Sequence, residues 1–116
     1  MVTVTNFPQV VSEAREGDTV SMVLYVPKTL VHFAGHFPGL PVLPGVVQVD
    51  WAIRYARRHF GRLAESYGLD AFKCRAPVLP ETRLTLQLVC DESRTSLRFA
   101  YADPRRPVCS GTVLFR

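Results

Sequence analysis

The sequence predicts an α+β domain in which one long helix is wrapped by a bent antiparallel sheet of about six strands. Two observations support this fold class. Apolar and polar residues alternate in several short segments that are separated by turn-forming residues, as in half-buried strands. Between the second and third segments, apolar residues recur three and four positions apart, as on one face of a helix. Short turns favour antiparallel pairing, so the helix must cover the apolar face of the sheet.

The first two strands are predicted at residues 9–15 and 19–26. Residues 16–18 read Glu-Gly-Asp and form a turn, because glycine tolerates positive φ and aspartate bonds its own backbone. Pro27 ends the second strand. Residues 28–34 then lead into a loop that is rich in proline and glycine.

The helix is predicted to begin near Pro44, because a proline fits the first helical turn. It could run to Tyr67 and end at Gly68, with a break at Gly61, where glycine costs about 1 kcal/mol inside a helix. The first turns are apolar nearly all round, so we expect them to be enclosed. The predicted buried stripe comprises Val46, Val49, Ile53, Ala56, Phe60, Leu63 and Tyr67.

The rest of the chain alternates in four further segments. Strands are predicted at residues 72–78, 84–90, 97–101 and 108–115, with turns at 91–94 and 103–107. A chain of 116 residues is near the commonest domain size, so residues 1–116 are expected to form a single domain.

Charge and cysteine content narrow the class of protein. A formal net charge of +4 favours an anionic partner. Nucleic acid is the generic partner of a basic protein, but this choice is weakened because the sequence has no helix-turn-helix and no aromatic-plus-basic sheet motif. An acidic carrier protein fits equally well. The three cysteines are odd in number and have no CxxC spacing, which indicates buried free thiols rather than zinc ligands or a full disulfide set.

The sequence also gives an expectation for localisation. No segment approaches the roughly 18 apolar residues of a membrane helix, so no membrane partner is expected. Residues 1–5 lack the basic start and apolar core of a signal peptide. We therefore expect a cytoplasmic protein.

Residues 33–50 form the most informative segment. Three prolines and three glycines surround His36 there, which indicates a loop of one defined shape. The segment then becomes an apolar run that contains Asp50. Asp50 lies six positions past Pro44, which places the carboxyl about 9 Å along the predicted helix.

This segment resembles the 3-hydroxyacyl-carrier-protein dehydratases of the hot-dog fold. The resemblance is carried by GHFPG at residues 35–39, PV at 41–42, PGV at 44–46 and an acid fourteen residues after the histidine. Residues 46–52 are most similar to the small ApeI-like dehydratases of aryl-polyene-type biosynthesis. The resemblance implies cofactor-free dehydration of a carrier-bound 3-hydroxyacyl thioester to the trans-2-enoyl thioester in fatty-acid, polyene or polyketide-type chain elongation.

That reaction requires a base, donors for the thioester oxygen and an acid for the departing hydroxyl. The resemblance gives His36 the role of base, Asp50 that of acid and Gly45 that of amide donor. A histidine titrates near pH 6.5, and the first amides of a helix, here those of Gly45 and Val46, have no partner within it. An apolar setting would keep Asp50 protonated and able to donate. Further substrate-binding candidates are Phe37, Pro44 and Arg54.

In the family the histidine and the acid of one site come from opposite subunits. The resemblance therefore implies a homodimer with two sites; a higher oligomer and a heterodimer with another hot-dog chain stay open. This sequence departs from the family at Arg54, where glutamine is usual. At i+4, Arg54 could pair with Asp50 and hold it ionised, which would leave Asp50 a structural role.

Other interpretations of the same residues stay open. The fold could serve a thioesterase in which Asp50 activates water, or a non-catalytic partner subunit. His32, His36 and Asp50 imitate a metal site, but Gly35 and Pro38 argue against a helix there, so no metal is expected. Five basic residues are either a solvated surface or a carrier-docking surface: Arg57, Arg58, Arg62, Lys73 and Arg75.

Overall fold

The computed structural model describes residues 5–33 and 42–116. One helix, α1 (Gly45–Phe60), follows the second strand, and a short 3₁₀ turn precedes it at Val31–Phe33. The six strands are β1 (Gln9–Glu16), β2 (Thr19–Val26), β3 (Ser66–Cys74), β4 (Thr82–Cys90), β5 (Ser96–Ala102) and β6 (Pro107–Phe115).

All six strands belong to one antiparallel sheet with the order β1-β2-β4-β5-β6-β3. The central pairing sets Val20 opposite Leu88 and Leu24 opposite Leu84. All four side chains are fully buried. Because side chains alternate along a strand, this register directs every second residue of β2 and β4 to the same inner face.

Helix α1 packs on that inner face and contacts β4, β5 and β6. Trp51, Ala52 and Ala56 on the helix are at most 1% exposed, and Leu86 and Phe99 on the strands are at most 2% exposed. One helix thus covers the concave side of a six-stranded sheet. This arrangement confirms the predicted α+β class and is the hot-dog layout.

The prediction that the helix runs to Tyr67 was wrong. The break predicted at Gly61 is confirmed, and it is the end of the helix. Gly61 adopts φ 83°, and its amide donates to the carbonyl of Arg57 at 3.1 Å, so the helix ends at Phe60. A left-handed φ is accessible to glycine and ends a helix there. Tyr67 and Gly68, expected at the helix end, belong to β3, which begins at Ser66 and ends at Cys74 rather than spanning residues 72–78.

The predicted buried stripe is confirmed at Ala56, Phe60 and Leu63 and is wrong over the first turns and at Tyr67. The residues of α1 that are buried are Gln48, Trp51, Ala52, Tyr55, Ala56 and Phe60. Val46 is 71% exposed, and Val49 and Ile53 are only partly buried. The first turns are therefore not enclosed within one chain, because the helix meets the sheet on one side only. The remaining strand predictions agree with the structure to within two residues.

No helix in the described part of the chain is long and apolar enough to span a bilayer.

Candidate active site at the start of α1

Among the described residues, the backbone amides at the start of α1 have no partner. Pro44 is extended, with φ −62° and ψ 144°, and its carbonyl accepts from the amide of Val47 at 3.1 Å. The amides of Gly45 and Val46 have no partner among residues 5–33 and 42–116. Such amides carry the positive end of the helix dipole and favour an oxygen that gains negative charge.

Gly45 is held tightly against the edge of the sheet. A Cβ at this position would lie 2.8 Å from Cys74 Sγ and 3.1 Å from Phe72 Cζ, which is closer than side chains approach each other. The segment before the helix is tied down as well, because Leu43 donates to the carbonyl of Val78 at 3.0 Å. The glycine expected to admit a thioester is therefore also the residue that lets α1 approach β3.

A cleft of about 500 Å³ opens beside these amides. Basic and polar groups reach it from Arg75 and Gln48, while the other walls are largely apolar. The residues that define it include Val42, Pro44, Gly45, Gln48, Arg75 and Pro77. The cleft thus combines apolar walls, free amides and one cation, which suits an acyl group with a polar carbonyl.

Asp50 lies on the exposed side of α1 and is paired. Its Oδ2 accepts from Arg54 Nε at 2.9 Å, and the two side chains are 54% and 59% exposed. The Arg54 guanidinium also lies 5.6 Å from the centre of the Phe7 ring. The sequence-based alternative of an Asp50–Arg54 pair is confirmed, whereas the apolar setting expected around Asp50 is absent from the single chain.

The predicted base lies outside the described residues. His36 and Phe37 both fall between residues 34 and 41, so the structure reports no distance from either to Asp50. Their roles stay predictions.

The five basic residues considered for carrier docking lie in two separate places. Arg57, Arg58 and Arg62 lie at or just beyond the end of α1, whereas Lys73 and Arg75 flank Cys74 beside Gly45. Arg57 follows Gly45 by twelve residues, or about 18 Å along the helix. Arg58 is already engaged, because it donates to Glu13 Oε2 at 2.5 Å and lies over the Tyr55 ring.

Sequence reasoning missed two residues that shape the site. Gln48 is 2% exposed, and the hydroxyl of Tyr101 donates to the Gln48 backbone carbonyl at 2.6 Å. Burial raises the pKa of Tyr101 well above its ordinary value, so this hydroxyl stays a donor. The available signal was a single glutamine within the apolar run of residues 46–53.

The cysteines differ from the expectation of three buried thiols. Cys90 and Cys109 are buried, but Cys74 is exposed at the end of β3. Its Sγ lies 2.7 Å from Cys109 Sγ, opposite it in the β3–β6 register. Burial, together with the contact to Cys74, raises the pKa of the Cys109 thiol.

The fold and the open helix start define a hot-dog protein with a candidate acyl-thioester site. The model of the ApeI-like family, described as ApeI dehydratase, matches residues 12–112. The chain belongs to the ApeI-like dehydratase family.

Similar proteins agree with this assignment. A curated 3-hydroxyacyl-[acyl-carrier-protein] dehydratase FabZ from Herpetosiphon aurantiacus is 36% identical over 89 residues, which is 71% of this chain and 61% of that protein. The chain thus spans about three fifths of the length of that relative. A solved chain described as the dehydratase heterocomplex ApeI:P from Xenorhabdus doucetiae is 28% identical, with a TM-score of 0.87 over 93% of this chain and 96% of that one.

A more distant structure shows the fold alone. A hypothetical thioesterase from Streptococcus pneumoniae, solved with coenzyme A, has a TM-score of 0.67 at 14% identity. The match covers 90% of this chain and 83% of the thioesterase chain.

Proposed function

We propose that this chain dehydrates a 3-hydroxyacyl thioester carried on an acyl carrier protein. His36 takes a proton from C2, and the amides of Gly45 and Val46 hold the thioester oxygen as it gains negative charge. Asp50 protonates the hydroxyl on C3. The C2–H and C3–O bonds break, a C2=C3 double bond forms, and water leaves.

The start of α1 carries this proposal. Two free amides beside an apolar-walled cleft suit a carbonyl that becomes an oxyanion. The same feature occurs in a chain whose family is a dehydratase family and whose curated relative is named as a 3-hydroxyacyl-carrier-protein dehydratase. Pro44 contributes no amide, which leaves Gly45 as the first donor.

We further propose that the working unit is a dimer of this chain. Strand β3 lies at the edge of the sheet, so one side of its backbone is free to pair. Exposed apolar side chains cluster on β3 and at the adjacent helix start: Val46, Tyr67, Leu69 and Phe72. A second copy paired along β3 would cover them and supply the enclosure that the first turns of α1 lack.

Lys73 and Arg75 are the better candidates for carrier docking. Both flank Cys74, which contacts the helix start, and Arg75 lines the cleft. A carrier that delivers its thioester to Gly45 must arrive at this end. Arg57, Arg58 and Arg62 lie about a helix length away and belong to the solvated surface in this proposal.

Turnover of a 3-hydroxyacyl carrier protein tests the reaction. The wild-type chain is expected to form the enoyl carrier protein, detected as loss of water by mass spectrometry, and His36→Ala and Asp50→Asn to lose at least about 100-fold in rate. Glu92→Gln, which removes a carboxylate from an exposed turn, is the control and should keep full activity.

Two outcomes would contradict the proposal. A free carrier thiol in place of the enoyl product would indicate a thioesterase. The second outcome is a wild-type chain that is inactive alone and supports turnover only when it is mixed with another hot-dog subunit. If His36→Ala and Asp50→Asn support turnover equally well in that mixture, the chain is a non-catalytic subunit.

The dimer is tested by light scattering on matched edge variants. Leu69→Lys on β3 is expected to give monomers, while Val11→Lys on β1, at the opposite edge, should not. The two wild-type side chains are similarly exposed, at 41% and 43%. A dimer that survives Leu69→Lys and dissociates with Val11→Lys would reverse the assignment of the interface.

A further inference from the structure

A buried polar side chain lines the cleft beside the free amides. Gln48 is 2% exposed and, apart from tyrosines and cysteines, is the single polar or charged residue among the buried residues of the described ranges. Its Oε1 has no hydrogen-bond partner within those ranges. An unpartnered buried carbonyl costs on the order of 1–3 kcal/mol, so its presence calls for a reason.

The neighbours of Gln48 do not supply that partner. The buried cleft residues Leu43 and Ala76 have no polar side-chain atom, and neither does Ala52 one turn further along α1. Trp51 carries an indole N–H, but it makes no hydrogen bond to Gln48 Oε1. The hydroxyl of Tyr101 is committed to the backbone carbonyl of Gln48 and holds this turn of the helix on the sheet. The Gly45 amide and Arg75 line the same cleft, but neither reaches Gln48 Oε1, which is left without a donor among the described residues.

The chemistry of the acceptor limits what can satisfy it. A carboxamide oxygen needs an O–H or N–H group from whatever enters the cleft. On a 3-hydroxyacyl thioester the candidates are the hydroxyl on C3 and the amides of the carrier's arm. The arm must point outward, because the carrier is too large to enter.

Spacing favours the hydroxyl. Gln48 follows Gly45 by one helical turn, about 4.5 Å further along α1. With carbon–carbon bonds of about 1.5 Å, C3 lies about 2.5 Å beyond the thioester carbon on the side away from the carrier. With the thioester oxygen at the Gly45 and Val46 amides and the acyl chain following α1 inward, the C3 hydroxyl would lie on the Gln48 side of the carbonyl.

We propose that Gln48 Oε1 accepts a hydrogen bond from the C3 hydroxyl and selects 3-hydroxyacyl over saturated acyl thioesters of equal length. This inference rests on the proposed function and adds a substrate-binding residue to it. In this proposal Gln48 orients the hydroxyl that leaves and Asp50 of the second subunit protonates it, because Asp50 of the same chain lies on the exposed side of α1.

Two stable ligands test the selection on the chain of residues 1–116. They are the pantetheine amides of 3-hydroxyoctanoate and octanoate, which keep the carbonyl but do not react. By calorimetry, the wild-type chain is expected to bind the hydroxy ligand at least about 10-fold more tightly. Gln48→Leu, in which the new side chain is similar in volume, should bind the two ligands with about equal affinity. The change should come chiefly from weaker binding of the hydroxy ligand.

Gln87→Leu makes the same chemical change on an exposed position of β4 and is the control. It should keep the wild-type preference. Thermal unfolding supplies a second readout, because replacing an unsatisfied buried amide by an apolar group should leave the melting temperature equal or higher. Gln48→Met repeats the change with a side chain that adapts more easily to the space.

The results separate the two levels of the proposal. If the wild-type chain forms the enoyl product but Gln48→Leu and Gln48→Met keep the preference for the hydroxy ligand, the role of Gln48 is overturned and the proposed function stands. Equal weakening of both ligands with a lower melting temperature would overturn it as well, because that pattern marks a structural residue. A wild-type chain that forms no enoyl product removes the proposed function and this inference together.

Discussion

The hydroxyl of Tyr101 on β5 donates a 2.6 Å hydrogen bond to the backbone carbonyl of Gln48 on α1. Both residues are at most 2% exposed. The bond ties the second turn of the helix, and hence the free amides one turn earlier, to the middle of the sheet. The geometry of the candidate site therefore depends on a strand residue 53 positions away.

Removing this hydroxyl should loosen the helix start. We expect Tyr101→Phe to lower the free energy of unfolding by about 1–2 kcal/mol, because it deletes one buried hydrogen bond and changes little else. Urea denaturation measures this difference. Tyr67→Phe, whose ring is 58% exposed, is the control and should change stability by less than about 0.5 kcal/mol. Equal effects of the two variants would contradict a role for the Tyr101 hydroxyl.

Alkaline pH should destabilise the fold through the buried tyrosines. Burial raises the pKa of Tyr55 from 10.0 to about 12, and burial also raises the pKa of Tyr101 well above its ordinary value. Between pH 10 and 12 the unfolded chain has lost these protons while the folded chain keeps them. Stability is therefore full below pH 10 and falls as the pH rises toward 12.

The urea midpoint measured from pH 8 to pH 12 tests this dependence. Tyr55→Phe should lessen the decline above pH 10, whereas Tyr67→Phe should leave it as in the wild type. A midpoint that stays constant to pH 12 would show that these rings are not buried in solution.

Gly45 is predicted to tolerate no side chain. We expect Gly45→Ala to destabilise the protein by about 1–3 kcal/mol, because the new Cβ would lie 2.8 Å from Cys74 Sγ. The double variant Gly45→Ala with Cys74→Ala should recover part of this loss, since the nearest atom is removed. Gly68→Ala, whose Cβ would lie an ordinary 3.5 Å from Leu114 Cδ1, is the control.

The same pair of variants separates packing from chemistry when turnover is measured beside thermal stability. If Gly45 also admits the thioester, the double variant should stay impaired in turnover after its stability has partly recovered. Full recovery of both would restrict Gly45 to a packing role.

Arg54 should matter more for turnover than for stability. The Asp50–Arg54 pair is more than half exposed, so Arg54→Gln should change the free energy of unfolding by no more than about 0.5 kcal/mol. The substitution frees Asp50 Oδ2 from the guanidinium, and we expect kcat to rise a few-fold as a result.

Steady-state kinetics with a 3-hydroxyacyl carrier protein provides the measurement. Arg57→Gln, a neighbouring exposed arginine on α1, is the control. A fall in kcat for Arg54→Gln alone would instead show that Arg54 holds Asp50 in its working position.

Much of the fold could be predicted because its signals are local. Alternation in residues 19–26 and 84–90 fixed two central strands, since period-two burial leaves few other structures open. The end of α1 was ambiguous, because Leu63 and Tyr67 continue the helical spacing past Gly61. In the structure Leu63 lies in the connection and Tyr67 in β3, so the match to helical spacing is a coincidence; the helix ends at Gly61, which has a left-handed φ.

Part of the candidate site could also be predicted from local signals. The proline–glycine segment indicated Gly45, Val46 and Asp50 from their place at a helix start. Gln48 was overlooked because its neighbours in the sequence are valines, and Tyr101 because it is distant along the chain.

The sequence by itself determined the fold class, the start of the helix and the family motif, because each depends on backbone preferences and spacings within a few residues. Only the tertiary structure decided which side of α1 is buried, that Gly45 is pressed against Cys74, and that Gln48 lies unpartnered in the cleft. These features are contacts between segments that are distant in the sequence. The start of α1 has apolar residues on two sides, and no local pattern specifies which of them packs on the sheet.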